Sequence, residues 1–247
     1  MLAINTAFMT ANLALKTPKG LTVLKDIDAK SKHSENVLKT IDEICAQAET
    51  NVLDVGTVAV VVGPGSFTGL RIGVAVAKAL GCVKKELKFV AMSSLELMAY
   101  IYVNKFKPNG DFLCILNALS GLYFVAKFNS DGIKIEKESM IDGETLAKYK
   151  EKLVLLQGDL NLNEADIVEI TCQNVLDFAI KKESEGEFVS EEQLEPVYLR
   201  SSQAEDNLKK ISKKWLTLCV NVCRIQWQEK WRHNEKDSLY KMSKMRT

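Results

Sequence analysis

The sequence predicts an α/β protein with two tandem domains, each carrying a mixed sheet, and three observations support this. Three short strand-like segments open the chain, and three more open its second half from Asp111. Alternating helical and strand-like segments follow each round. In the first half the run TVAVVV, a glycine-rich turn, an apolar helix and KFVAM form a β-α-β unit, the connection that parallel strands require.

The elements follow in order. LAIN, ANLALK and LTVLKDI are apolar segments separated by polar or Pro/Gly turns such as Thr17-Pro18-Lys19-Gly20, which reads as a meander. In KHSENVLKTIDEICAQAE the apolar residues Val37, Leu38, Ile41, Ile44, Cys45 and Ala48 recur at steps of three and four, the stripe of an amphipathic helix, and Glu35 near its start suits the helix dipole. TVAVVV is β-branched almost throughout, as expected of a strand buried on both faces. SSLELMAYIYV reads as a helix ending near Asn104, and KFKPNGD, residues 105–111, has the composition of a boundary. DFLCILNA, YFVAKFN and IKIEKESM form the second set of strands, with Asp131-Gly132 as a hairpin turn. A short helix near 143–149, the strand LVLLQG and a helix around NVLDFAIKKE complete that half. The expected domains are 1–104, 105–200 and a terminal segment, 201–247.

The 247 residues are 47% hydrophobic and 26% charged, which indicates a folded chain able to bury a sizeable core rather than a disordered one. The longest uncharged run, Val55 to Leu70, is broken by glycines and a proline and is too short for a bilayer span. MLAINTAFMTANLALK lacks a basic segment ahead of an apolar one, so the expected location is the cytoplasm, with no membrane partner. Cys45, Cys82, Cys114 and Cys172 sit singly in apolar segments and are expected to be reduced and buried; Cys219 and Cys223 stand at helical spacing. With two histidines, His33 and His233, and no paired C-x-x-C units, no metal site is expected. His33 and Ser34, adjacent on a helix, point apart and read as a polar helix start rather than a base and nucleophile.

The net charge of +1 hides an asymmetry. From Lys209 onward eleven Lys/Arg face three Asp/Glu, a net +8, and all three tryptophans, Trp215, Trp227 and Trp231, lie there; the rest of the chain is net −7. Such a tail suits RNA or an acidic partner, and equally a solvated extension or an altered reading frame.

The stretch VVVGPGSFTGLRIGVAVAKALG, residues 60–81, has the position of a phosphate loop, between a buried strand and a helix N-terminus. Its chemistry is different. It lacks the Gly-Lys-Ser/Thr of a P-loop and the G-x-G-x-x-G of a dinucleotide site. Gly63, Pro64 and Gly65 shape the turn, and Ser66 or Thr68 offers an N-cap. From Leu70 to Gly81 the helix is apolar nearly all round, with Arg71 and Lys78 on one stripe, and Gly69, Gly73, Ala77 and Gly81 make a smooth ridge. That ridge fits close packing on its own sheet and fits contact with a helix of another protein.

GPGSFTGLRIGVAVAKALG closely resembles the signature of the TsaB (YeaZ) family, which takes part in the threonylcarbamoyl modification of adenosine 37 in tRNAs reading ANN codons. SKHSENVLKTIDEI resembles the segment before that signature, and EPVYLRSSQAE the family's C-terminal ending, so the resemblance covers about residues 1–210. It implies an actin-like ATPase (ASKHA) fold of two tandem RNase H-like domains. It implies a non-catalytic scaffold for a TsaD-type transferase, working with a TsaE-type ATPase, with ATP and a metal ion on those partners and tRNA met through the complex. It places the partner interface, or a homodimer interface when TsaD is absent, on helices 33–49 and 68–82. Carried over, the partner-binding residues are Val37, Leu38, Ile41, Ile44, Leu70, Gly73, Val74, Ala77, Lys78 and Gly81, and the signature loop and helix start are Gly63, Pro64, Gly65, Ser66, Phe67, Thr68, Gly69 and Arg71.

Two departures stand out. Asn5 occupies the end of the first strand, where an actin-like nucleotide site wants an acid and then a glycine. The family's Asp-Ala-Arg-x-Gly-Glu-Val-Tyr strand is NALSGLYF here, residues 117–124. The rival expectations are an ATP-hydrolysing or peptidase relative of the same fold, and RNA binding through the tail. Asn5 and the missing histidine pair weigh against the enzyme. Finally, Ser202 to Glu205 has capping-box spacing, so YLR is expected to be a strand leading into a last helix.

Overall fold

A computed structural model describes residues 1–27, 33–160 and 162–199, with the backbone alone for 33–35. The described residues belong to the first of two units, 1–200. The tail, and the capping box proposed at Ser202, lie outside the described residues.

The first unit carries two five-stranded mixed sheets of the same topology, the actin-like arrangement that the sequence led us to expect. In sheet one, β1 (Leu2–Asn5), β2 (Ala11–Lys16) and β3 (Thr22–Ile27) form an antiparallel meander. Helix α1 (His33–Gln47) and the 3-10 turn Val52–Asp54 lead to β4 (Thr57–Gly63), parallel to β1. Helix α2 (Phe67–Val83) then crosses to β5 (Lys88–Ser93), parallel to β4. The strand order is β3-β2-β1-β4-β5. After α3 (Ser94–Phe106) the pattern repeats with β6 (Phe112–Asn117), β7 (Leu122–Phe128), β8 (Ser139–Asp142), α4 (Gly143–Leu146), β9 (Lys152–Leu156), β10 (Asp166–Val168) and α5 (Cys172–Ser184). Its order is β10-β9-β6-β7-β8, with β9 parallel to β6 and to β10.

Side-chain alternation gives each sheet two faces with different tasks. On sheet one Leu2, Ile4, Leu13, Leu15, Val58, Val60 and Val62 face α1 and α2, whereas Ala3, Ala14, Ala59, Val61, Val90 and Met92 join the core shared with α3, α5 and sheet two. Ala3 pairs in register with both Ala14 and Ala59. These small side chains make a shallow floor on which α5 packs across β1 and β2. Helix α3 touches strands of both sheets, so both halves share one core.

Several local expectations needed correction. IKIEKESM is not one strand: Lys134 makes an isolated bridge to Phe128, and β8 begins only at Ser139. The intervening charges, Glu136, Lys137 and Glu138, favour solvent and ion pairs over a ladder. The sequence reading also missed β10, whose three residues are too few to show a period. YLR is no strand: its described residues, Tyr198 and Leu199, are irregular, following a single backbone bond from Val197 N to Val62 O, 2.8 Å. Cys45, Cys114 and Cys172 are buried, but Cys82 is exposed, because its helix turns it away from the sheet.

A partly buried ion cluster ties α3, α5 and the β7–β8 connection together. Glu96 of α3 accepts from Lys134 at 2.7 Å and from Lys182 at 3.1 Å; Lys182 also meets Glu187 at 2.6 Å. Burial pushes the Glu96 carboxyl up, but the two ammonium groups outweigh it and hold the pKa below its ordinary value. A depressed carboxyl pKa contributes stability above the unfolded value and loses it as pH falls through the folded one. Glu96→Gln is therefore expected to lower unfolding free energy by about 2 kcal/mol at pH 7, since it leaves partly buried lysines short of a partner. In urea titrations the gap between wild type and variant should narrow as pH drops below 4.5, the ordinary glutamate value. A gap independent of pH would show that charge is not the cause.

Candidate functional site

The glycine-rich segment packs against the turn after β1 and against residues near Val197. Gly63 has φ +128°, a conformation that L side chains rarely adopt, and is followed by a cis bond to Pro64. Ser66 caps α2 by accepting from Gly69 N at 3.3 Å, and its own N donates to Ala7 O at 2.8 Å. The Thr6 hydroxyl, fully buried, donates to Gly69 O at 2.7 Å. A Cβ on Gly69 would collide with the Thr6 carbonyl, and one on Gly73 would lie 2.6 Å from Thr6 Oγ1. The ridge thus faces β1 and β4 of its own chain.

The ridge therefore packs on its own sheet, and most of the residues expected at a partner contact are covered by this chain. Leu70, Gly73, Val74, Ala77 and Gly81 are buried within this chain, as are Val37, Ile41 and Ile44 of α1. Periodicity shows which residues share a helix face but not which body covers it. Of the assigned set, Leu38 is 57% exposed and Lys78 half-buried. The outward side of α2 is instead Thr68, Ala75, Ala79 and Val83, the last 69% exposed, and Leu53 of the neighbouring 3-10 turn is exposed as well. Helix α1 packs against both α2 and that turn. The signal was present in the sequence: Ala75, Ala79 and Val83 recur every four residues on a helix whose charges are Arg71 and Lys78 alone.

A third side of α2 carries Phe67, Arg71, Lys78 and Cys82. Arg71 lies over the Phe67 ring at 3.9 Å and its Nε donates to Tyr198 Oη at 2.9 Å, while the Phe67 and Tyr198 rings stand 4.7 Å apart. The signature and the PVYLR segment, far apart in sequence, meet here.

The end of β1 does not fit a magnesium nucleotide. Asn5 is fully buried; its amide donates to Asn12 Oδ1 at 2.7 Å and its Oδ1 accepts Ala7 N at 3.1 Å. Asn12 donates in turn to Asp26 at 2.7 Å. Asp26 also accepts the Cys172 thiol at 2.8 Å, and burial, reinforced by Asp26, pushes that thiol's pKa up to about 12. The position that would hold an acid thus carries an amide bonded on both its nitrogen and its oxygen, and Ala7 uses both its N–H and its carbonyl within the protein. In the second half, Asn117 takes a bond from Leu119 N at 2.8 Å, closing a turn in which Leu119, Ser120 and Gly121 all have positive φ. Among the described residues no group of three or more His, Cys, Asp or Glu could hold a metal ion, and no helix is long and apolar enough to cross a membrane.

Residues 26–176 match the family model described as TsaD, tRNA N6-adenosine threonylcarbamoyltransferase. The chain belongs to this family. Its TsaB (YeaZ) character is shown by relatives along most of its length. It is 26% identical over 226 residues to the tRNA threonylcarbamoyladenosine biosynthesis protein TsaB of Escherichia coli K12, covering 83% of this chain and 96% of that protein. It is 25% identical over 222 residues to TsaB of Haemophilus influenzae, covering 81% and 93%. The fold is that of YeaZ from Pseudomonas aeruginosa, with a TM-score of 0.67 at 20% identity over 80% of this chain and 98% of that one.

The seam generates a direct test. Gly69→Ala and Gly73→Leu are expected to destabilise the chain by about 3 kcal/mol or more through overpacking, despite removing a glycine that costs about 1 kcal/mol in a helix. Chemical denaturation should show it, with Ala75→Leu on the outward side changing little. A stable Gly73→Leu variant would mean that α2 does not sit on β1 and β4 as described.

Proposed function

We propose that this chain is a non-catalytic scaffold and activator of a TsaD-type threonylcarbamoyl transferase in the formation of N6-threonylcarbamoyladenosine at adenosine 37 of tRNAs reading ANN codons. The observation that carries the reading is the outward stripe of α2. Ala75, Ala79 and Val83 present an apolar surface of small side chains, with exposed Leu38 and Leu53 on neighbouring elements. An uncharged, exposed helix face of this kind suits close approach by another helix. The interior of this chain, by contrast, commits its signature glycines and Asn5 to packing and internal hydrogen bonds.

On this reading the TsaD-type subunit binds the α1–α2 side, while the reaction's ATP and metal ion belong to that subunit and to a TsaE-type ATPase. The tRNA is reached through the complex. A second copy of this chain occupies the same face when the partner is absent. The work is cytoplasmic.

Ala79→Glu and Val83→Glu put charge on the stripe without touching the core. Each is expected to weaken binding to a purified TsaD-type subunit by about ten-fold or more, as measured by calorimetry, because a desolvated charge at an interface core is costly. Reconstituted modification with the TsaE-type ATPase, ATP, bicarbonate, threonine and tRNA should fall in parallel. Unchanged binding would remove the interface from this face, and transfer by this chain alone would overturn the scaffold reading.

A further inference from the structure

We propose that residues 189–198 form a strap that positions α2, and that Phe67, Arg71 and Tyr198 are its lock. The segment follows α2 from end to end. Val189 N donates to Phe89 O at 3.0 Å, so the strap begins by pairing with β5, the edge strand of sheet one. Glu191 lies by the other end of the helix, where the Cys82 thiol points at its carboxylate and a Cβ on Gly81 would be 3.5 Å away. Leu194 is completely buried in the cluster that includes Val74 and Ala77. Val197 N then bonds Val62 O, its carbonyl closes over Gly63, and Tyr198 reaches the first turn of α2.

Between those ends the strap's own backbone N–H groups bond locally. Ser190 N and Gln193 N exchange bonds with each other's side chains, and Leu194 N returns to Ser190 O. A segment without helix or ladder keeps its place through its anchors. The last anchor combines two orientations: the planar Arg71 guanidinium stacks on Phe67 and aims Nε at the Tyr198 hydroxyl. Lysine reproduces neither. The lock therefore holds the strap across α2, and the strap keeps α2 at the depth its glycines allow and sets how its outward stripe is presented. Phe67, Arg71 and Tyr198 are positioning residues for that stripe and do not belong to it. The proposal rests on the partner reading of the stripe only in its binding arm.

The test is amide exchange by mass spectrometry on the full chain. Tyr198→Ala and Arg71→Lys are expected to speed exchange in peptides from 189–199 and in α2 by about ten-fold, as opening of the strap becomes local and frequent. Tyr198→Phe keeps the ring stacking and should restore α2 to within about three-fold of wild type, a partial rescue that general unfolding would not give. Peptides from sheet two serve as the reference for intact fold. If strap exchange rises with α2 unchanged, or neither moves, the strap does not position α2 and the proposal fails. In the binding arm, Tyr198→Ala should weaken the TsaD-type complex several-fold with the stripe intact. Faster exchange of α2 with unaltered binding would leave the strap standing and count against the stripe as the partner surface.

Discussion

The structure depends on one close approach: the first two turns of α2 lie directly on the turn that follows β1. Gly69 and Gly73 leave no side chain between helix and strand, so the Thr6 hydroxyl can close on the Gly69 carbonyl. Helix glycines are costly in isolation, roughly 1 kcal/mol each, and what offsets them here is contact with Thr6, Ile4 and Val60 that no larger residue permits. With α2 at that depth, its remaining sides are assigned as well. One turns toward the segment 189–198, and another, the stripe of Ala75, Ala79 and Val83, turns outward.

The same approach governs what chemistry is available. In a phosphate loop, glycines expose backbone N–H groups toward a ligand. Here they serve the opposite purpose, bringing backbone against backbone. Ala7 accepts from Ser66 N and donates to Asn5, and the Asn5 amide donates in turn to Asn12. An amide is both donor and acceptor, so it completes a buried chain of bonds without the counter-ion that a carboxylate would demand. The Asn5 position is stable in the form it takes.

Much of this was legible in the sequence, and the limits have physical causes. The meander, the buried strand β4, the amphipathic stripe of α1 and the repeated order of elements all rest on periodicities that sequence records directly. The glycine turn lacks the residues that phosphate chemistry demands, a difference that sequence records directly. What sequence does not record is the identity of the covering body. Gly73 and Ala77 looked equally suited to a partner and to β1, and only the register that sets Thr6 beneath Gly69 decides between them. Short or irregular pieces failed for a different reason: β10 is too brief to show alternation, and Tyr198 is held by Arg71 and Phe67 rather than by a ladder. The exposed stripe could have been found, since a helix apolar on every side must have something other than the core to meet.

The two halves, alike in strand order, differ in what covers their outer faces, and this supports the surface proposed for association. Sheet one is covered by two long helices, whereas the outer face of sheet two, around Leu113, Ile115, Val125 and Leu155, is closed by the four residues of α4 and by connecting loops. A helix can present apolar side chains to solvent with its backbone bonds already satisfied, which an open strand edge cannot do without inviting indiscriminate pairing. On sheet one the edge strand β5 has its Phe89 carbonyl engaged by Val189. The proposed association through α2 would therefore ask only that side chains leave water, with small residues at four-residue spacing setting the geometry of approach.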